Sequence, residues 1–119
     1  MQNFNFTYDK DNDDLFLFSP KSKSKGSVEL GNIVLDFNSK KELVGIQIMN
    51  ASKLIKDITS ENISTIKELL NHLEKCKIDV KPNNNMLIIK IFLFSQVKEI
   101  SPVISMPSIT ESSPALAAA

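Results

Sequence analysis

The chain opens on a two-residue rhythm. Phe4, Phe6 and Tyr8 alternate with Asn5 and Thr7, the period of a β-strand with one apolar face. Polar residues 9–14 interrupt it, and residues 15–19 follow, apolar on both faces, so the pair reads as a hairpin. After a basic loop, residues 20–27, the run 28–37 places Ile33, Leu35 and Phe37 on one face, with Gly31 as a bulge or turn inside it. Residues 38–42 form a turn. The run 43–49 sets Val44, Ile46 and Ile48 against Gly45, Gln47 and Met49. Four strands on short loops predict an antiparallel meander.

The fourth strand runs directly into a helix across a small polar hinge, Asn50, Ala51 and Ser52. Asn caps helices well because its side chain accepts from a free amide of the first turn, so Asn50 is expected to cap a short helix over 51–56. A longer helix begins at Thr59 or Ser60 with Glu61 in its first turn. There Ile63, Ile66, Leu69, Leu70, Leu73 and Cys76 recur at three- and four-residue steps, one face turned to a core. Lys75 and Lys77 suit the negative end of that helix. Residues 78–82 are a short strand and 82–85 a turn. Residues 86–94 are the strongest strand, apolar at Leu87, Ile89, Ile91 and Leu93, with Lys90 on the opposite face. Pro102 and Pro107 cannot donate to a ladder, so the last strand lies at an edge. The expected class is α+β: an antiparallel β-meander of about four strands, a short and a longer helix, then a C-terminal β-hairpin, packed as one two-layer domain over residues 1–109. The Ala-rich residues 110–119 are set apart as a disordered tail or a cloning scar.

Residues 6–55 carry a resemblance. Tyr8-Asp9, Asp13 or Asp14, Leu15, Ile33, Leu35-Asp36, Val44-Gly45-Ile46, Ile48 and Asn50-Ala51-Ser52 follow the pattern of a domain-of-unknown-function family, DUF2283. Asn38 in place of an acidic residue, Gln47 in place of Glu and Met49 in place of Leu depart from it. The helix and later strands resemble the extension of longer archaeal members. The resemblance implies no activity. Because some short members lie beside small toxin-like proteins, it implies an antitoxin-like or partner-binding role.

Fourteen basic residues balance fourteen acidic ones, which leaves no global field to attract nucleic acid or an anionic membrane. The single cysteine, Cys76, excludes an intramolecular disulfide and points to a reducing compartment. The first residues carry neither a basic nor an apolar segment of a signal peptide, so the cytoplasm is the expected location.

Candidate chemistry is sparse, and an enzyme is not expected. Asp9, Asp11 and Asp13 alternate as calcium ligands do, but the Gly and Glu of an EF-hand loop are replaced by Asp14 and Pro20, so a solvated acidic turn is the better reading. Asp36 would have to join that loop in space for carboxylate catalysis. His72 and Cys76 share a face if both are helical, yet no further His or Cys completes a zinc set. Lys21, Lys23 and Lys25 form the one basic run, with no aromatic between them and no arginine in the chain, so nucleic acid is disfavoured. Gly45, Asn50, Ala51 and Ser52 are read as a structural hinge: a cap, a small residue that lets the helix approach, and a glycine that permits close packing. The Asn50-Ala51-Ser52 and Asn62-Ile63-Ser64 sequons are read as helix starts, not glycosylation sites. No cofactor is implied. Exposed sheet edges and a strand apolar on both faces favour a binding or assembly module, most naturally a homodimer or a complex with a protein partner.

Overall fold

The computed structural model describes residues 1–21 and 23–107. The tail expected at 110–119 lies outside them. The described residues are mostly β, 51% strand and 17% helix. This corrects the expected α+β meander with a C-terminal hairpin. The order is β1 (Gln2–Asp9), β2 (Asp14–Phe18), β3 (Gly26–Leu30), β4 (Ile33–Phe37), β5 (Leu43–Ile48), α1 (Ala51–Thr59), α2 (Ile63–Asn71), β6 (Lys75–Asn83), β7 (Met86–Phe94), β8 (Glu99–Ile100) and β9 (Val103–Pro107). The strands form one curled antiparallel sheet in the order β3-β4-β5-β2-β1-β6-β7-β8, with β9 also on β7.

Three local features explain the difference. The run 28–37 is a hairpin and not one strand: Gly31 at φ 60° opens a two-residue loop, and Leu30 pairs with Ile33. Gly is the residue that takes this backbone without steric cost. Strand β2 pairs with β5 and not with β3, so the chain crosses over between them. The longer helix is shorter than its apolar period suggested. Its cap is Asn62, whose side chain accepts from the Thr65 amide at 2.8 Å, and α2 ends at Asn71. Lys75, Cys76 and Lys77 belong to strand β6, where burial alternates. Periodicity alone could not separate helix from strand at Cys76, because a buried residue satisfies either.

Strand β1 joins the two halves of the sheet. Its first residues, Gln2 to Phe4, pair with β6, and Asn5 to Asp9 pair with β2. The core lies on the inner face. Leu15, Leu17, Leu35, Ile46, Ile89, Ile91 and Leu93 are fully buried there, packed with Ile55 of α1 and Ile66, Leu69 and Leu70 of α2. Each such side chain is worth about 1.5–3 kcal/mol on burial. The edge expected at the end of the chain is present. β8 and β9 follow one another along the free side of β7, with buried Pro102 between them accepting from the Ile91 amide at 2.9 Å.

Gly45 lies in close approach to a neighbouring strand. It stands opposite Asp36, and a Cβ there would lie 2.8 Å from Asp36 Oδ2 and 3.3 Å from Asp36 Cβ. The other carboxylate oxygen accepts from Ser27 Oγ at 2.5 Å, so the side chain has little room to yield. Gly45→Ala is expected to cost about 1–3 kcal/mol in urea unfolding, the usual cost of overpacking. In an Asp36→Gly background the same substitution is expected to lose less than half as much; an unchanged cost would refute the steric account.

Candidate functional site

The acidic turn between β1 and β2 divides its carboxylates between two tasks. Asp9 closes the turn: its side chain accepts from the Asp11 and Asn12 amides at 3.1 and 3.3 Å and from Asn12 Nδ2 at 2.7 Å. These bonds to Asn12 hold its carboxyl below the usual range. Asp11 points to solvent. Asp13 turns inward on a left-handed backbone, φ 56°, which Asp tolerates better than most residues. The three carboxylates considered as cation ligands therefore do not converge. Among the described residues no group of three or more His, Cys, Asp or Glu could hold a metal.

Asp13 meets the start of α1. Its backbone carbonyl accepts from the Ala51 amide at 2.8 Å, and its carboxylate accepts from the Ser52 amide at 3.2 and 3.1 Å. The Ser52 hydroxyl donates to the same carboxylate at 2.6 Å, and the Tyr8 hydroxyl donates to it at 2.6 Å. A helix leaves its first amides without intrahelical partners and carries positive dipole there, so a carboxylate is well placed. The expected role of Asn50 is thereby corrected. Asn50 adopts a left-handed backbone, φ 52°, and its side chain makes no cap bond. It supplies the bend, and Asp13 supplies the cap from the preceding hairpin. Ala51 and Ser52, both buried, let the helix sit against the turn.

This cluster holds structure more readily than it does chemistry. The Ser52 hydroxyl already donates to a carboxylate, and no described buried side-chain N or O lacks a partner. Burial first, and then the hydrogen bond and charge of Asp13, push the Tyr8 phenol above its ordinary range. His72 and Cys76 do not share a helix face. His72 ends α2, exposed, and its amide donates to the carbonyls of Glu68 and Leu69. Cys76 sits in β6 between Phe4 and Leu93, with its thiol pushed up to about 12 by burial. His72 instead borders an open cleft of about 580 Å³ with Glu68, Glu74, Gln96 and Lys98. Lys98 is paired with Glu61 at 3.1 Å.

The outer face of the sheet carries what the linear sequence concealed. Phe16 and Phe18 of β2 lie there with ring centroids 5.1 Å apart. Phe92 and Phe94 of β7 lie there too, 6.5 Å apart and nearly parallel at 13°. Register sets Lys77 opposite Phe92 and Lys75 opposite Phe94. Assigning these lysines to a helix end hid their place beside the rings. The lysines of the basic run, Lys21, Lys23 and Lys25, are exposed in the β2–β3 connection.

Fold and junction together define a small antiparallel-sheet protein whose first hairpin caps its first helix. Residues 5–52, which contain both parts of that junction, match the family described as a protein of unknown function, DUF2283. An uncharacterised protein of Methanocaldococcus jannaschii is 35% identical over 95 residues, 78% of this chain and 76% of its own. The chain belongs to the DUF2283 family. A protein of Methanosarcina mazei, provisionally named a hypoxanthine phosphoribosyltransferase, is 27% identical over 86 residues, 72% of this chain and 65% of its own. No solved structure matches.

Tyr8 is the chain's one tyrosine, so its absorbance near 295 nm reports the junction directly. Its midpoint is expected well above the usual value of about 10. Asp13→Ala is expected to lower it part of the way, since burial remains. Because the folded pKa is raised, the linked stability is present below the ordinary phenol range and is lost as pH rises through the folded value. A wild-type midpoint at the ordinary value would contradict the network.

Proposed function

We propose that this protein is a non-enzymatic binding module that acts through protein–protein contacts, with a second copy of the chain as its first partner. The observation that carries the reading is exposed Phe16, beside Phe18, on the outer face of the sheet. Both helices contribute their buried residues to the inner core, and the chain leaves Phe16 38% exposed beside Phe18. Aromatic side chains supply large contact area at small conformational cost, and exposed apolar patches mark contact surfaces. A two-fold pairing is the commonest closed arrangement and would bring this patch against itself.

The family is one of unknown function and lends no activity to the reading. The transferase name of the Methanosarcina mazei relative is not carried to this chain. Gly-rich phosphate loops space their glycines a few residues apart, and the three glycines here, Gly26, Gly31 and Gly45, are dispersed. Every described strand pair is antiparallel, unlike the parallel sheets whose strand ends usually hold nucleotides. Among the described residues no helix is long and apolar enough to cross a membrane. A cytoplasmic setting is part of the proposal, in keeping with one buried free thiol.

Sedimentation velocity tests the reading. The wild type is expected to sediment as a dimer at high micromolar concentration. Phe16→Ser, at a half-open position, is expected to shift it to monomer with an unchanged circular dichroism spectrum. A wild type that stays monomeric across the micromolar range would sink the self-association reading.

A further inference from the structure

The β6–β7 hairpin lies on the same outer face as Phe16, with β1 between β6 and β2. Its solvent side has a different character. Lys75, Lys77, Asp79 and Lys81 of β6 face Phe94, Phe92, Lys90 and Ile88 of β7. Lys90 in turn faces Val103, and Phe94 faces Glu99, on the far strands. Four lysines therefore share this surface with two carboxylates. Asp79 is already engaged by Lys81 at 3.6 Å and by the N-terminal ammonium at 3.9 Å. The two phenyl rings are half-buried and nearly parallel. Lys75 Nζ lies 5.8 Å from the Phe94 centroid, and Lys90 Nζ lies 5.1 Å from the Phe92 centroid. Ammonium groups thus flank flat aromatic surfaces at alternate strand positions, in a chain whose net charge is zero.

We propose that the outer face of the β6–β7 hairpin binds single-stranded nucleic acid, with phosphates at Lys75, Lys77 and Lys90 and bases on Phe92 and Phe94. Single strands are bound without strong sequence preference where a basic surface follows the backbone and aromatic rings receive bases. The exposed lysines can exchange a weak contact with a ring for a phosphate while the ring turns to a base. Charge complementarity favours this occupant over an apolar protein face, which would leave these ammonium groups desolvated. The objection raised against the run Lys21, Lys23 and Lys25, that no aromatics interleave it, does not apply here, because the partners come from the adjacent strand. Without arginine, base-specific readout is not expected.

The test is fluorescence anisotropy of the full chain with labelled oligo(dT) and oligo(U), and with a duplex as control. Binding of a single strand in preference to the duplex is expected at low salt, and the two single strands distinguish DNA from RNA. Three phosphate contacts predict a loss of affinity of about twentyfold between 50 and 200 mM salt. Lys75→Glu, Lys77→Glu and Lys90→Glu together are expected to abolish binding, while Lys21→Glu, Lys23→Glu and Lys25→Glu together leave most of it. Phe92→Leu and Phe94→Leu, which keep apolar bulk, are each expected to weaken it about tenfold, in the range of a lost base stack. No binding at low salt would overturn the proposal. So would equal losses from the two lysine triples, or undiminished binding by the leucine variants. Self-association lost on substituting these lysines would also overturn it, by showing that a second copy occupies the surface. The Phe16→Ser experiment reads a different strand, so the two proposals fail separately.

Discussion

The carboxylate of Asp13 holds the first hairpin to the first helix, and much of the fold depends on that attachment. It lies 39 residues from Ser52 in sequence and binds both its amide and its hydroxyl. A nine-residue helix such as α1 is not stable alone in water. It persists because Ile55 reaches the core and because its first amides find a charged acceptor. Hydrogen bonds to charged groups contribute about 1.5–3 kcal/mol. Two left-handed residues, Asp13 and Asn50, set the approach of turn to helix. The family match spans both sides of this junction, residues 5–52, as expected if the junction is the shared element of the fold.

Strand β1 extends that order to the rest of the chain. Pairing with β2 at one end and β6 at the other makes a continuous sheet of two groups of strands. Because side chains alternate along every strand, one continuous sheet also means one continuous outer face. Phe16 and Phe18 lie on one part of it, Phe92 and Phe94 on another. The inner face carries the core and the buried apolar residues of both helices. The two proposals assign different strands of the outer face.

Much of this was legible in the residues, where local pattern decides structure. The alternation of Phe4, Phe6 and Tyr8, the strand 86–94 and the edge character given by Pro102 and Pro107 all survive in the fold. The family resemblance was carried by the same segment that forms the junction. What the sequence could not show was pairing between distant segments. Asn50 had the chemistry of a cap, but on its left-handed backbone its side chain makes no cap bond. Only the register of a hairpin 39 residues earlier brings Asp13 there. Cys76 fitted a helical period and a strand period equally, and the choice placed Lys75 and Lys77 at a helix end and away from the rings of Phe92 and Phe94. The neighbour of Gly45, Asp36, became apparent only from the strand register.

The most direct test of the central claim is native-state hydrogen exchange of the Ala51 and Ser52 amides. Ordinary first-turn amides fray and exchange through local openings. If Asp13 ties the hairpin to α1, both amides will be protected nearly as well as those of core strand β5 and will open with it. Asp13→Ala, which leaves no side-chain acceptor, should release the Ser52 amide to fast local exchange while β5 stays protected. Rapid exchange of both amides in the wild type, with β5 still closed, would contradict the account.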